Sequence, residues 1–177
     1  TVTDKDDLRY LRRWSVRGDG VEFAFIRVSD GVTTPDSMFA VNWDGALAAG
    51  VRRGAYQFFR PSQDPIAQAD LLIDAIADLG PDDLSPVIDV ESAGGLSPAE
   101  VEAAARQWVT RVEAATGRVP IVYTGRFFWQ DFVGNADFSR HPLWHAQYPA
   151  TQPPPADACP NIASAWSTWA IWQYSDE

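Results

Sequence analysis

Short apolar runs alternate along this chain with longer stretches whose apolar residues recur at helical spacing. Phe23-Ala24-Phe25-Ile26-Arg27-Val28, rich in aromatic and branched residues, predicts a strand. Met38 to Ala49 predicts a helix stopped by Gly50. Gly54-Ala55-Tyr56-Gln57-Phe58-Phe59 predicts the next strand, broken by Arg60-Pro61. Asp64-Pro65 opens a second helix with a capping side chain and a first-turn proline. Its apolar stripe runs through Ile66, Ala69, Leu72, Ile73 and Ile76, and it is expected to end at Gly80. Pro86 to Val90 is a further strand, and Ser97-Pro98-Ala99-Glu100 is a capping box that opens a helix running to Thr116, with Gly117 as its cap. Val101, Ala105, Trp108, Val112 and Ala115 form the expected buried face of that helix. Pro120 to Tyr123, Pro142 to Tyr148 and Trp169 to Tyr174 complete the strands, with a Pro-rich loop from Pro149 to Pro160 before the last.

Strands alternating with helices imply a largely parallel sheet. Six strands with about three long helices point to an α/β fold of irregular, TIM-like barrel type, and not to a doubly wound sheet. No linker, composition shift or repeat divides the chain, so residues 1–177 are expected to form a single domain.

Candidate chemistry lies at the end of one strand. In Val87-Ile88-Asp89-Val90-Glu91, two carboxylates stand two residues apart on a buried strand, so alternation points them the same way. Neighbouring acids in a shielded site push their pKa values apart, and one stays protonated near neutral pH while the other ionises. Acid-catalysed cleavage of a glycosidic bond needs such a pair. An isolated D-x-E more often marks a solvated strand end, but here it does not stand alone. In barrels of this kind chemistry collects at the C-terminal ends of strands. Arg27 and Asp30, Gln57, Tyr123 and Thr124, Gln147 and Tyr148, and Gln173 and Tyr174 all fall there, beside Tyr56, Phe58, Trp144 and Trp172.

Composition narrows the partners. A formal net charge of -10 excludes the basic stripe that nucleic acid requires and opposes an anionic membrane surface. No apolar run is long enough to span a bilayer, and no basic, hydrophobic leader opens the chain. Eight Trp and nine Phe exceed what a core of this size needs, and Trp suits sugar rings, although more than half of these rings are expected in the core. Cys159 is the single cysteine, no Cys or His cluster has metal-ligand spacing, and nothing calls for a cofactor. His141 and His145 are the two histidines, without a nucleophile elbow to serve, and His145 reads as a packed or hydrogen-bonded residue beside Trp144. Gly18-Asp19-Gly20 reads as a turn, and Asp82-Asp83 as a solvated face.

Six segments together resemble glycoside hydrolase family 25, the Chalaropsis-type lysozymes. They are Phe23 to Gly31, Gly54 to Pro61, Val87 to Glu91, Pro120 to Thr124, Leu143 to Tyr148 and Trp172 to Ser175, in the family's order and spacing. The resemblance implies an N-acetylmuramidase cutting the β-1,4 bond between N-acetylmuramic acid and N-acetylglucosamine in bacterial peptidoglycan. It implies Glu91 as the general acid, and Asp89 as the group that assists the substrate's own 2-acetamido group. Tyr56, Phe58, Arg27, Asp30, Tyr123, Trp144, Gln147 and Trp172 would contact the glycan. The place of action would be extracellular or in the cell wall, reached by secretion or phage delivery, with an antimicrobial outcome.

Three departures qualify the resemblance. The family's first strand carries G-x-D-V-S, whereas this chain opens Thr1-Val2-Thr3-Asp4-Lys5-Asp6-Asp7. The family's last strand, with an Asp and an Asn, has no counterpart after Ser175, so the barrel is expected to lack its first and last strands. Gln57 stands where His is common, and Arg27 and Asp30 where Lys and Glu are common. Three readings follow: the sequence is part of a longer protein, an additional segment or module completes the barrel, or turnover has been lost. In the last case the domain would be a non-catalytic glycan-binding or structural part of a cell-wall or phage assembly.

Overall fold

The computed structural model describes residues 20–151 and 153–175. In chain order its strands are β1 (Phe23–Asp30), β2 (Thr34–Pro35), β3 (Arg52–Phe58), β4 (Val87–Asp89), β5 (Ile121–Gly125), β6 (Leu143–Ala146) and β7 (Ile171–Gln173). The helices are α1 (Phe39–Ala48), α2 (Pro65–Ile76), α3 (Pro98–Thr116) and α4 (Arg126–Phe132). The strands form one sheet in the order β2-β1-β3-β4-β5-β6-β7, parallel throughout except for the antiparallel β1–β2 pair. This is a curled half-barrel, and among the described residues it stays open between the β2–β1 side and β7. Residues 1–7, where the sequence departs from the expected first strand, lie outside the described residues. No helix among those described is long and apolar enough to cross a membrane.

Alternation divides the sheet into two apolar faces. On β4, Val87 joins an inner cluster with Phe25, Ile121, Tyr123 and Trp144. Its neighbours Ile88 and Val90 join a larger outer cluster with Trp43, Leu72, Val101, Trp108 and Trp129 of the helices. A strand covered on both faces reads as a continuous apolar run, as Val87-Ile88 does. Gly54 serves this packing directly: a Cβ there would meet Phe25 Cε1 at 2.3 Å, so only glycine lets the ring lie flat over β3.

Most expected elements are present. The α3 helix begins and ends where the sequence places it, with the Glu100 carboxylate accepting from the Ser97 backbone N–H at 2.8 Å and Gly117 left-handed at φ 68. Three features differ. Helix α4 was not expected, because Arg126-Phe127-Phe128-Trp129 continues an apolar strand and Gly125 supplies no side-chain cap. The two-residue β2 is too short to leave a pattern. Helix α2 ends at Ile76, not Gly80, because Ala77 turns the backbone to φ 48. Ile66 and Ala115, both assigned to buried stripes, are exposed near helix ends that overhang the sheet.

Five tryptophans, Trp43, Trp108, Trp129, Trp144 and Trp166, are buried, so the aromatic excess is mainly core. Trp108 also anchors a fully buried polar link from α3 to the sheet, through Gln57. Its indole N–H donates to Gln57 Oε1 at 2.7 Å, and Gln57 Nε2 donates to Ser29 Oγ at 2.8 Å. The chain of bonds ties β1, β3 and α3 together directly behind Tyr56 and Phe58. Trp108→Phe keeps most of the ring and leaves Gln57 Oε1 buried without a donor, which costs about 1–3 kcal/mol. Urea denaturation should show a lower midpoint at an unchanged slope; an unchanged midpoint would contradict the role given to this bond.

Candidate functional site

Parallel register sets one row of residues across the sheet. Asp30 pairs with Phe58, Phe58 with Asp89, Asp89 with Tyr123, and Tyr123 with Trp144. Residues opposite one another in a parallel sheet point to the same face. The row therefore aims two carboxyls and three aromatic rings at the inside of the half-barrel, at the C-terminal ends of its strands. Here a cavity of about 190 Å³ opens, lined by Tyr56, Phe58, Val87, Asp89, Glu91, Tyr123, Trp144 and Gln173. Pockets for drug-sized ligands hold roughly 300–1,000 Å³, so this one takes a ring-sized group, with the rest of a longer ligand outside.

Asp89 forms the floor and Glu91 the mouth. Asp89 is 6% exposed, and its Oδ1 has no hydrogen-bond partner among the described residues. Glu91 is exposed to solvent along much of its surface, although the cavity wall crowds its carboxyl. Burial pushes the Asp89 carboxyl well above the ordinary carboxylate range, and the negative charge of Glu91 pushes it further. Burial also raises Glu91, while a hydrogen bond from Asp89 opposes that rise. The two groups titrate as a pair that retains a proton above the usual carboxylate range.

The aromatic walls are fixed from behind. Trp144 packs at 4.5 Å between centroids on Phe25 and edge-on to Tyr123 at 4.9 Å. Its indole N–H is buried without a partner among the described residues, on the same cavity as the free oxygen of Asp89. Burial raises the pKa of Tyr123, so its hydroxyl stays protonated.

Arg27 and Asp30 stand on the rim and do not line the cavity. Arg27 Nε is 3.6 Å from Asp36, and its charge draws the Asp89 pKa downward. Asp30 accepts two bonds from Arg60, at 2.6 and 2.8 Å, which hold its carboxyl below the ordinary range. Arg60 lies 4.4 Å over the Phe58 ring and is placed by Gln68, which both accepts from its backbone N–H and donates to its carbonyl at 2.9 Å. Gln68 carries no local signal, since a buried glutamine on a helix is indistinguishable from a surface one until its partners are seen.

Gln147 and Trp172 lie away from this cavity. Trp172 pairs with His145 and shares its face of the sheet, opposite to that of Trp144. Its indole N–H donates to the Gln147 carbonyl at 2.8 Å, and Gln147 Oε1 accepts from the Asn161 backbone at 2.6 Å. Gln173, one residue on, pairs with Ala146 and lines the cavity instead. Strict alternation on β7 was the signal that could have found it. His145 is packed in the strand at 1% exposure, and burial lowers its pKa.

The family model for glycosyl hydrolases family 25 matches residues 7–177. The uncharacterized protein YegX of Escherichia coli K12 is 32% identical over 98% of this chain and 60% of its own length. Lysozyme M1 of Streptomyces globisporus is 30% identical over 91% of this chain. The chain spans less than two thirds of either relative: 60% of YegX and 56% of lysozyme M1. Among solved structures, a family GH25 lysozyme from Aspergillus fumigatus superposes with a TM-score of 0.81 at 31% identity, covering 92% of this chain and 80% of that one.

The acid pair gives the fold a pH signature. Ordinary carboxyl values are 3.8 for Asp and 4.5 for Glu, and both groups are raised in the folded chain. The folded state therefore binds more protons than the unfolded state above about pH 4, and stability falls as pH rises through the pair's raised values. Asp89→Asn removes the buried charge that forms on this climb. Its Tm relative to wild type should increase steadily from about pH 4 to pH 8. A difference that is flat or falls over that range would contradict the raised pair.

Proposed function

The chain belongs to glycosyl hydrolases family 25, and from that premise we propose that it hydrolyses the β-1,4 bond between N-acetylmuramic acid and N-acetylglucosamine in peptidoglycan. Relatives named lysozyme and solved structures titled muramidase support this reading. The observation that carries it is the cavity floor, where a buried acceptor, Asp89 Oδ1, and a buried donor, Trp144 Nε1, both stand without partners. Buried polar atoms left unpaired in a native chain call for an explanation, and a ligand group that satisfies them supplies one. A 2-acetamido group offers both an N–H and a carbonyl.

The chemistry then follows from the shared proton. As the acetamido N–H donates to Asp89 Oδ1, the Asp89 carboxylate is stabilised and the proton of the pair passes to Glu91. Glu91 gives that proton to the glycosidic oxygen as the bond to C1 breaks, and the acetamido carbonyl oxygen closes on C1. Water then opens the resulting ring at C1 and returns a proton to Glu91. Two carboxyls close enough to share a hydrogen bond sit nearer than the roughly 5–5.5 Å of an acid and a carboxylate nucleophile on opposite sides of a sugar bond. That separation favours the substrate's own group as nucleophile. Tyr56, Phe58, Tyr123 and Gln173 wall the sugar, and Arg27 and Asp30 meet the glycan at the rim. The expected place of action is the bacterial cell wall.

Glu91→Gln should abolish release of reducing ends from purified peptidoglycan while the fold persists, because only the proton donor is lost. Asp89→Asn should slow turnover by on the order of 10²–10⁴. Mass analysis of wild-type products should show fragments ending in N-acetylmuramic acid. A folded wild-type chain that binds glycan strands and releases nothing would sink the hydrolase reading in favour of a binding domain.

A further inference from the structure

A second cavity, of about 320 Å³, opens at the C-terminal ends of β5 and β6 and reaches their outer face at His145. Alternation separates them: Tyr123 and Trp144 face the groove, while the next pair in register, Thr124 and His145, faces outward. Arg126, Phe127, Phe128, His145, Gln147 and Tyr148 are among the residues that line the second cavity. It shares a wall with the first, because Tyr148 lines it and hydrogen-bonds Tyr123 of the groove.

Its polar groups are incompletely satisfied. His145 is 1% exposed, and its ring makes no well-formed hydrogen bond among the described residues, only loose ones to the Gln147 side chain and to the Thr124 and Asn161 backbones. Arg126 Nε is buried without a partner among the described residues. A loosely bonded buried imidazole and an unpaired buried guanidinium nitrogen on one apolar cavity mark a place where a ligand completes the bonding. Beside them, Phe127 is 73% exposed, a bare aromatic ring at the cavity entrance. Arg126 is the one cation in this lining.

A ligand that fits carries an anionic oxygen group for Arg126, a hydrogen-bonding atom for His145 and a small apolar body for Phe127 and Phe128. The groove next door repels such a group, because it holds the acid pair. Peptidoglycan supplies both chemistries on one polymer: each muramyl sugar bears a short peptide whose alanyl and glutamyl residues end in free carboxylates. We propose that this second cavity binds the carboxylate-bearing peptide arm of the same strand whose sugars occupy the groove, with Tyr148 as the ridge between them. The proposal rests on the muramidase reading for the identity of the polymer, and its test is read without turnover.

The test titrates the chain, with imidazole resonances of His145 observed by NMR, against a wall tetrapeptide, alanyl-isoglutamyl-lysyl-alanine. Parallel titrations use the same peptide with its carboxyls amidated, N-acetyl-D-alanine, and acetate. The free tetrapeptide should saturate and shift His145, and amidation should weaken it at least tenfold. Arg126→Gln should weaken it by a similar factor, with Arg126→Lys recovering part of the loss at an unchanged melting temperature. No shift at His145, or equal affinity for the amidated peptide, would overturn the site. Equal affinity for acetate or N-acetyl-D-alanine would make it a small-carboxylate site and overturn the assignment to the peptide arm. A chain that cleaves peptidoglycan without binding the tetrapeptide refutes this cavity alone, whereas one that binds it without cleaving refutes only the hydrolase.

Discussion

The site depends on one constraint, the parallel register that sets Asp30, Phe58, Asp89, Tyr123 and Trp144 in a single row across five strands. A slip of one residue in any strand would turn its member of the row from the hollow of the half-barrel to the helices. The register is held from both sides. Inside, Phe25 lies on Gly54 and against Trp144. Outside, Ile88 and Val90 are embedded in the helical core, and the Trp108–Gln57–Ser29 bonds pin β3 and β1. Strand β4 has three paired residues, yet it carries the acid at the centre of the row, because it lies mid-sheet between β3 and β5.

Holding Asp89 there opposes stability. Burial disfavours its charge, its Oδ1 is unpaired, and the Trp144 indole N–H nearby is unpaired as well. The same desolvation that destabilises the ionised acid is what keeps a proton available. The rim balances the field: Arg27 lowers the Asp89 pKa, Asp30 raises it, and the tight Asp30–Arg60 pair limits the influence of Asp30. Glu91 is less buried than Asp89 because it lies two residues past the strand, at the mouth.

Much of this was legible in the sequence, for identifiable reasons. The D-x-E at the end of an apolar run fixed both acids on one face, and period-two alternation needs no tertiary information. The capping box of α3 and the Gly117 cap are local signals, and they gave that helix its boundaries. What was missed depended on distant partners or on weak local signals. Helix α4 opens without a cap in an aromatic run that reads equally well as strand, and it forms because Trp129 packs on Phe138 and Trp166. Strand-end position and the family resemblance both point Gln147 and Trp172 at the groove, while register turns Trp172 the other way and puts Gln173 in its place. His145 read as a packed residue and is one; that its ring faces a second cavity was visible only once Arg126 and Phe127 had been folded around it.

The account turns on the acid pair holding one proton through the range in which isolated carboxyls have lost theirs. Side-chain carboxyl ¹³C chemical shifts of Asp89 and Glu91, followed from about pH 3 to pH 9 and assigned with Asp89→Asn and Glu91→Gln, test it directly. The prediction is a two-step titration seen at both carbons, with the upper step far above the ordinary carboxylate range and absent from either variant. Two independent transitions near the ordinary values would show that the acids are solvated and separate, and the site described here would lose its proton donor.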